Sequence, residues 1–240
     1  MTSSSVEPRL RLGLIIPSSN RLTELQFHRY APPGVDIHVT RLRMTGAFTA
    51  PIAQLMPRII EAAEMLADAR CDVIGFHCTA TSMEEGAAGD RAIIDAIADA
   101  TDHTATSTAT AVLAALQAVN AQRLALITPY VEATHRTEID FLTEAGFDVA
   151  RDHCLGLTGS DAYISVTPET WIDQSLAQRD DSLDAYMLGC TNIRSIEVIE
   201  EIESALDRPV ITSNQAMLWQ SLRLGGLPDQ LPHLGRLFQM

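Results

Sequence analysis

The sequence predicts an α/β protein made of two similar units, each with a parallel sheet, related by a pseudo-two-fold axis and with the active site in the cleft between them. Two observations indicate this fold. Short apolar runs alternate with longer amphipathic segments along the chain, which is the pattern of a parallel α/β sheet. In addition, several motifs recur at one fixed spacing, which indicates two units of the same design.

Strands are predicted where a short apolar run is bounded by turn residues. They are Leu10–Ile16, Val35–Leu42, Val73–Phe76, Leu124–Thr128, Ala185–Leu188 and Pro209–Thr212. Helices are predicted where apolar residues recur every three or four positions, as they do at 52, 55, 56, 59, 60, 63 and 66. The predicted helices are Ile52–Asp68, Arg91–Asp99, Thr108–Val119, Thr134–Glu144, Glu169–Gln178, Ile196–Ala205 and Gln215–Leu224.

The repeat links the two halves of the chain residue by residue. RLGLIIP at 11–17 recurs as RLALITP at 123–129, and 123 − 11 = 112; CDVIGFHCT at 71–79 recurs as LDAYMLGCT at 183–191, and 183 − 71 = 112. A fainter echo relates TSTATAVLAAL from 106 to TSNQAMLWQSL from 212, an offset of 106. The period is too long for a solenoid. We therefore expect one unit from residues 1–107 plus 217–240 and a second from 108–216.

The composition and charge of the chain argue against several classes of partner. With 46% hydrophobic and 20% charged residues, the chain has the composition of a globular protein. A balance of 17 basic to 31 acidic residues, net −14, argues against a nucleic-acid or anionic-membrane surface.

No apolar run approaches the roughly 20 residues of a membrane span, and no signal-peptide pattern is present. We expect a disordered leader at residues 1–8, a cytoplasmic protein, reduced cysteines and, without a CxxC pair, no zinc site.

Cys78 and Cys190 are the main candidates for chemistry. Each follows a predicted strand, where parallel α/β sheets bind ligands and helix N-termini favour a thiolate, so we expect a lowered thiol pKa. The hydroxyls of Thr79 and Thr191 can cap a helix or donate to a substrate oxygen. A lone strand-end cysteine is often a buried small hydrophobe, but the matched Cys-Thr pairs favour two functional thiols. Cys71 and Cys154 lack a matched partner and are predicted to be structural.

His77 precedes Cys78 and raises the alternatives of a Cys-His dyad or a metal site. Neighbouring side chains on a strand point to opposite faces, and the second half has Gly189 at the equivalent place. We therefore expect His77 to be a structural histidine with its hydrogen bonds satisfied.

The other strand ends carry polar side chains that can donate to carboxylate oxygens, namely Ser18, Ser19, Asn20 and Tyr130. The alternative for PSSN at 17–20 is a plain turn with a helix cap. For Asn214 a helix N-cap is the favoured interpretation, and for Arg194 a surface position.

Several motifs together resemble a known family, and they are GLIIPSSN, CDVIGFHCTATS, RLALITPY, LGCTNIRS and VITSNQAMLW, spanning 12–219. The chain resembles the aspartate/glutamate racemase superfamily and, within it, the branch of maleate cis-trans isomerases and arylmalonate decarboxylases. The resemblance implies two α/β domains with the active site between them, no cofactor, no metal, a homodimer and a small carboxylate or dicarboxylate substrate.

The resemblance also implies residue roles. Cys78 and Cys190 match the first and second catalytic cysteines, and Asn20 and Tyr130 match carboxylate-binding residues. Thr79, Ala80 and Thr191 match the loops that hold the substrate oxygens.

The implied function is a cis-trans isomerase acting on a maleate-like unsaturated dicarboxylate. Alternatives are a two-cysteine racemase or epimerase of an amino acid, hydantoin or related carboxylate, an arylmalonate-type decarboxylase, and a non-enzymatic carboxylate-binding protein. Arylmalonate decarboxylases share LTG at 157–159 but carry only the second cysteine, so Cys78 disfavours them. Maleate isomerases place a substrate-binding asparagine after the sixth strand, and GLTGSDAYISVTPE at 156–169 has none.

Overall fold

The computed structural model describes residues 7–44 and 50–240, so residues 1–6 of the expected leader lie outside the described residues. Two four-stranded parallel sheets form the fold, which confirms the predicted class. The first sheet, in the order β2-β1-β3-β4, contains β1 (Leu10–Pro17), β2 (Val35–Leu42), β3 (Val73–Phe76) and β4 (Thr104–Ser107). The second, in the order β6-β5-β7-β8, contains β5 (Arg123–Thr128), β6 (Asp148–Cys154), β7 (Ala185–Leu188) and β8 (Val210–Thr212).

Helices flank both sheets. They are α1 (Thr23–Tyr30), α2 (Ile52–Asp68), α3 (Thr79–Met83), α4 (Gly86–Thr101), α5 (Thr108–Ala118), α6 (Glu132–Glu144), α7 (Ser160–Ser165), α8 (Pro168–Ala177), α9 (Ile199–Leu206) and α10 (Ser213–Leu224). Short 3₁₀ turns occupy Ser195–Val198, Pro232–Leu234 and Arg236–Gln239.

Most predicted elements are present with ends that agree closely. The strands at 35–42, 73–76 and 185–188 and the helix at 52–68 match residue for residue. The sequence analysis missed two strands, β4 and β6, and three short helices, α1, α3 and α7. Both missed strands lie at sheet edges, where polar and half-exposed residues replace the apolar run of a central strand. The helix predicted at 196–205 is a 3₁₀ turn followed by α9.

The central strands pair in the same register in both sheets, so equivalent residues lie at equivalent strand ends. Ile15 of β1 pairs with Phe76 of β3, and Ile127 of β5 pairs with Leu188 of β7. Both members of the second pair lie 112 residues after those of the first, since 127 − 15 = 112 and 188 − 76 = 112. Each cysteine therefore leaves its sheet at the carboxyl end of a central strand, where helices and turns begin.

The core between the sheets is made by α5 and α10, which pack against each other. Helix α10 also contacts β3 and β4 of the first sheet and β8 of the second. Gly75 in β3 lets Met217 of α10 approach closely, because a Cβ at position 75 would lie 3.1 Å from the Met217 sulfur. The two sheets are thus joined through shared packing. Within the described ranges, no helix combines the length and apolar character that a bilayer crossing requires.

Candidate active site

A cavity of about 730 Å³ lies at the carboxyl ends of the strands, between the two halves. Its walls include residues Pro17, Ser18, Ser19, Asn20, Arg21, Met44, Cys78 and Ala80 of the first half and Tyr130, Thr134, Thr158, Gly159, Ser160, Asp161, Tyr163, Cys190, Thr191 and Asn192 of the second. Every residue predicted for the site lines this cavity except Thr79.

Cys78 follows β3 in an extended conformation and precedes the first residue of α3. Its side chain is half-buried, and its thiol donates a hydrogen bond to Thr81 Oγ1 at 3.3 Å. Burial raises the pKa of the Cys78 thiol, and hydrogen bonding with the side chain and backbone of Thr81 partly offsets this effect. Cys78 is the more accessible of the two cavity thiols, so it is the better placed to attack a substrate.

Cys190 is held in a tighter environment. It is 5% exposed and has φ of 144°, a left-handed conformation that is rare for a residue with a side chain. The Asn192 N–H donates to its sulfur at 3.3 Å, and the Tyr130 hydroxyl also forms a hydrogen bond with it. Burial nevertheless raises the pKa of the Cys190 thiol to about 12. Cys190 is therefore a neutral thiol at physiological pH and suited to act as an acid.

The expected lowering of both thiol pKa values by helix dipoles is wrong. Helix α3 has only five residues, and Cys190 is followed by a turn, with a 3₁₀ segment beginning at Ser195. The dipole of so short a segment is small, while loss of hydration on burial opposes any thiolate. Burial is the largest effect on both thiols.

Asn20 joins the two halves at the cavity wall. Its amide Nδ2 lies 2.9 Å from Thr23 Oγ1, 3.0 Å from Thr191 Oγ1 and 3.2 Å from the Thr191 carbonyl oxygen. The side chain is 2% exposed, and its donors are fully committed. Binding a carboxylate through Asn20 would require it to exchange a bond with Thr191. Ser19, by contrast, is half-buried at the cavity wall.

Thr79 lies behind the cavity wall and connects the segments that carry the cysteines. Its hydroxyl donates to Ser213 Oγ at 2.9 Å, and that oxygen accepts a hydrogen bond from the Cys190 N–H at 3.1 Å. Thr79 is thus placed to position Cys190, while its neighbour Ala80 reaches the cavity. Neither Thr79 nor Thr191 makes the helix-capping bond considered from the sequence.

His77 is a buried histidine with both ring nitrogens hydrogen-bonded, as the sequence predicts. Nδ1 lies 3.0 Å from Thr108 Oγ1 and Nε2 lies 2.8 Å from Asn214 Oδ1. Burial lowers the pKa of His77 to about 4, so the ring is neutral. The N-cap interpretation of Asn214 is wrong, because Thr212 caps α10 through a capping box with Gln215.

Arg194, Cys71 and Cys154, which the sequence analysis also discussed, do not line the cavity. Arg194 is exposed and forms an ion pair with Glu197 at 3.0 Å, as expected for a surface residue. Cys71 is buried, and Cys154 is half-buried beside Glu132.

Tyr130 and Tyr163 form an aromatic pair at the cavity, with ring centroids 5.5 Å apart and planes at 84°. Burial raises the pKa of the Tyr130 hydroxyl well above its usual value of 10. The hydroxyl therefore keeps its proton and can donate to the Cys190 sulfur or to a substrate oxygen.

Two cavity features were missed by the sequence analysis. Asn192 accepts a hydrogen bond from the Arg21 N–H on Oδ1 at 3.0 Å, and its Nδ2 has no partner among the described residues. A buried amide donor without a partner is costly, and a substrate oxygen would satisfy it. Arg21, the one basic side chain among the described lining residues, forms an ion pair with Asp161. Asn192 lies within the LGCTNIRS motif, so its position next to Cys190 was visible in the sequence.

The candidate site is not built like a metal centre. In the two ranges that the structure describes, no group of three His, Cys, Asp or Glu side chains is placed to hold a metal ion.

The fold and the cavity describe an α/β protein with two parallel sheets that share one cavity, and each half contributes one cysteine to that cavity. A family model described as arylmalonate decarboxylase matches residues 12–238. The chain therefore belongs to the arylmalonate decarboxylase family, which confirms the branch indicated by the motifs.

Two kinds of enzyme are among the similar proteins. The chain is 28% identical over 231 residues to arylmalonate decarboxylase of Bordetella bronchiseptica, with 95% of each chain covered. It is 25% identical over 239 residues to maleate isomerase of Nocardia farcinica, again with 95% of each covered. A cysteine-to-serine mutant of the Nocardia farcinica enzyme, solved with a covalently bound succinylcysteine intermediate, has a TM-score of 0.89 at 25% identity, covering 95% of this chain and 98% of that one.

Proposed function

We propose that the protein is a cofactor-independent cis-trans isomerase of a maleate-like unsaturated dicarboxylate, with Cys78 as nucleophile and Cys190 as acid. The observation that carries this proposal is the pair of unlike thiols on one cavity: Cys78 is half-buried, whereas Cys190 is buried, neutral and hydrogen-bonded. The succinylcysteine in the Nocardia farcinica isomerase supports covalent chemistry of this kind.

The proposed reaction begins when the Cys78 thiol loses its proton to water and the resulting thiolate adds to the cis double bond. A C–S bond forms, the π bond breaks, and its electron pair spreads onto the conjugated carboxylate. Cys190 then donates its proton to the carbon next to that carboxylate. Rotation about the resulting C–C single bond precedes the reverse steps: the Cys190 thiolate removes the proton, the double bond re-forms, and the Cys78 thiolate leaves.

Substrate carboxylates would be held by hydrogen-bond donors of both halves. Tyr130, Ser19 and the unpartnered Asn192 amide are the side chains available at the cavity wall. Asn20 and the backbone around Ala80 and Thr191 complete the proposed binding set, and Thr79 supports it from behind. Donors fixed before the substrate arrives stabilise the charge that develops on the carboxylate.

An arylmalonate-type decarboxylase is the second candidate, because the 28% identity to the Bordetella bronchiseptica enzyme favours it. The resemblance implies that such an enzyme needs only the second cysteine. Retained release of carbon dioxide in Cys78→Ser would therefore identify a decarboxylase, whereas the isomerase would lose turnover.

The test is proton NMR in deuterated water with maleate, substituted maleates, amino acids, hydantoins and arylmalonates. We expect conversion of a maleate-like substrate to its trans isomer. Exchange at an α-carbon would establish the racemase alternative, and loss of carbon dioxide the decarboxylase. Binding without any of these reactions would overturn the enzyme proposal in favour of a carboxylate-binding protein.

A further inference from the structure

The Glu138 side chain packs against Gly189, the residue that precedes Cys190. It is 0% exposed, and neither carboxyl oxygen has a hydrogen-bond partner among the described residues. Its Oε2 overlaps the position that a Cβ at Gly189 would take, so the carboxyl packs against the residue preceding Cys190. The absence of a side chain at Gly189 is what makes room for this carboxyl.

The equivalent position in the first half shows that this arrangement is unusual. Since 138 − 112 = 26, the counterpart of Glu138 in α6 is Gln26 in α1. Gln26 is buried, donates to the Ile193 carbonyl at 3.1 Å and accepts from the Asn214 amide. The first half thus has a neutral, hydrogen-bonded amide where the second has an unpartnered carboxyl. A buried polar group without a partner is retained at a cost of a few kcal/mol, which points to a functional role.

Ionisation of Glu138 would affect the thiols and tyrosines of the cavity. A charged Glu138 raises the pKa of Cys190, Tyr130 and Cys78, and also that of Tyr163 of α7. Burial alone raises the pKa of Glu138 to about 8, with no basic group offsetting it.

Among the described residues, no positive charge of α3, α4 or β6, the elements packed against α6, acts on the Glu138 carboxyl: Arg91 of α4 is exposed, and Arg151 of β6 forms an ion pair with Asp180. Asp152 of β6 forms a hydrogen bond with His135, and Cys154 of the same strand forms one with Glu132. Glu84, at the end of α3, adds a further negative charge near Cys78. Ionisation of Glu138 therefore adds a negative charge to a site in which the described neighbours are already acidic.

We propose that Glu138 controls proton transfer by Cys190: the site works with the Glu138 carboxyl neutral, and an ionised carboxyl holds the proton on Cys190. The catalytic part of this inference rests on the isomerase function proposed above. Cys190 becomes a thiolate in each turnover, and a second negative charge nearby, out of water, opposes that step. Glu138 is thus a positioning residue that acts through Cys190.

The first experiment uses no substrate. In a Cys78→Ser background, alkylation of Cys190 by iodoacetamide is followed by peptide mass spectrometry at roughly pH 6 and roughly pH 10. Adding Glu138→Gln, which keeps size and removes the charge, should leave the rate unchanged at the lower pH. At the higher pH it should increase the rate about tenfold, since one pKa unit is a factor of ten.

The matched control is Glu144→Gln, the same substitution at an exposed position of the same helix, which should change neither rate. Glu138→Met, neutral and of similar volume, repeats the test if the glutamine variant folds poorly. An equal effect at both pH values, or no effect at either, would overturn the proposal.

The second experiment measures turnover against pH with the substrate identified by NMR. Wild-type activity should fall as pH rises through about 8, and Glu138→Gln should lack this decline. A decline of the same size in the variant would contradict the role of Glu138. Failure of the NMR screen would overturn the isomerase function yet leave the alkylation result intact, so the two failures are distinguishable.

Discussion

The two halves of the molecule differ most in what lies behind their cysteines. Behind Cys78, His77 is neutral and hydrogen-bonded on both ring nitrogens. Behind Cys190, Gly189 leaves space for the unpartnered carboxyl of Glu138. The repeat places both thiols at equivalent strand ends, but it does not make them chemically equivalent. Their proton chemistry depends on the groups packed behind them, which the repeat leaves different.

The largest effects are expected from serine substitutions of the two thiols, which test whether the halves have different roles. Cys78→Ser should lower turnover by roughly a thousandfold or more and abolish any substrate adduct. Cys190→Ser should lower turnover by roughly a hundredfold to ten-thousandfold, but an adduct on Cys78 that has taken its proton from water should accumulate, because the serine cannot remove that proton again. Intact-mass spectrometry and steady-state rates measure both.

Cys154→Ser, half-buried and outside the cavity, is the control and should keep full activity. Adducts on Cys190 in place of Cys78 would reverse the assigned roles. Full activity in Cys78→Ser or in Cys190→Ser would rule out the two-thiol mechanism.

The buried Glu138 carboxyl should make the protein less stable as pH rises. Its pKa is raised from 4.5 to about 8 in the folded protein, so the unfolded chain loses this proton first as pH rises. The contribution of Glu138 to the free energy of unfolding should therefore be greatest below pH 4.5 and fall up to about pH 8, by at most about 5 kcal/mol. Urea denaturation of the wild type and Glu138→Gln should give curves that diverge over this range. Parallel curves would show that Glu138 is hydrated or paired in solution.

The buried His77 ring should have the opposite effect and make the protein less stable as pH falls. Its pKa is lowered from 6.5 to about 4, so its contribution is complete above pH 6.5 and is lost as pH falls through 4. The loss is at most about 3 kcal/mol. His77→Gln should flatten this acid decline in urea denaturation, whereas His28→Gln, at an exposed position of α1, should leave it unchanged. A decline that persists in His77→Gln would assign the acid sensitivity to other groups.

A methyl group at Gly189 tests the close packing behind Cys190. Its Cβ would overlap Glu138 Oε2 and lie 3.2 Å from Thr128 Cγ2. We expect Gly189→Ala to lower the free energy of unfolding by about 1–3 kcal/mol, since added volume in a packed interior forces neighbours to move. Combining it with Glu138→Ala should cost less than the sum of the two single changes, because the shortened side chain makes room. Additive costs would show that the carboxyl is not the obstacle.

The fold was predictable where burial leaves a simple pattern. Central strands such as β3 and β7 are buried on both faces, so they read as short apolar runs, and their repetition located both cysteines. The edge strand β6, with the sequence DVARDHC, has half-exposed and exposed residues and gives no such run. Its pairing with β5 is decided by contacts that the local sequence does not contain.

Chemistry was predictable only in part, because proton affinity depends on neighbours in space. Glu138 lies 52 residues before Cys190 (190 − 138 = 52), and the repeat points to Gln26 as its only counterpart. One sign was present: Glu138 shares the buried face of α6 with Ile139 and Leu142, where an acid is out of place. The expected low thiol pKa values failed for the same reason, since burial cannot be judged from a strand end alone.

The smallest effect is expected from Arg21, which tests how the two halves are held together at the cavity. Its ion pair with Asp161 is exposed, with 50% and 96% of the side-chain surface accessible, so Arg21→Met should cost under about 1 kcal/mol of unfolding free energy and nothing at high salt. The buried bonds of Asn20 to Thr191 should keep the halves in place, and the Arg21 N–H bond to Asn192 survives the substitution. Asp161→Asn, which removes only the other charge, is the matched variant. A larger loss that persists in high salt would make the ion pair a clamp between the halves. A rise in KM for Arg21→Met, absent from Asp161→Asn, would instead show that the guanidinium reaches a substrate carboxylate.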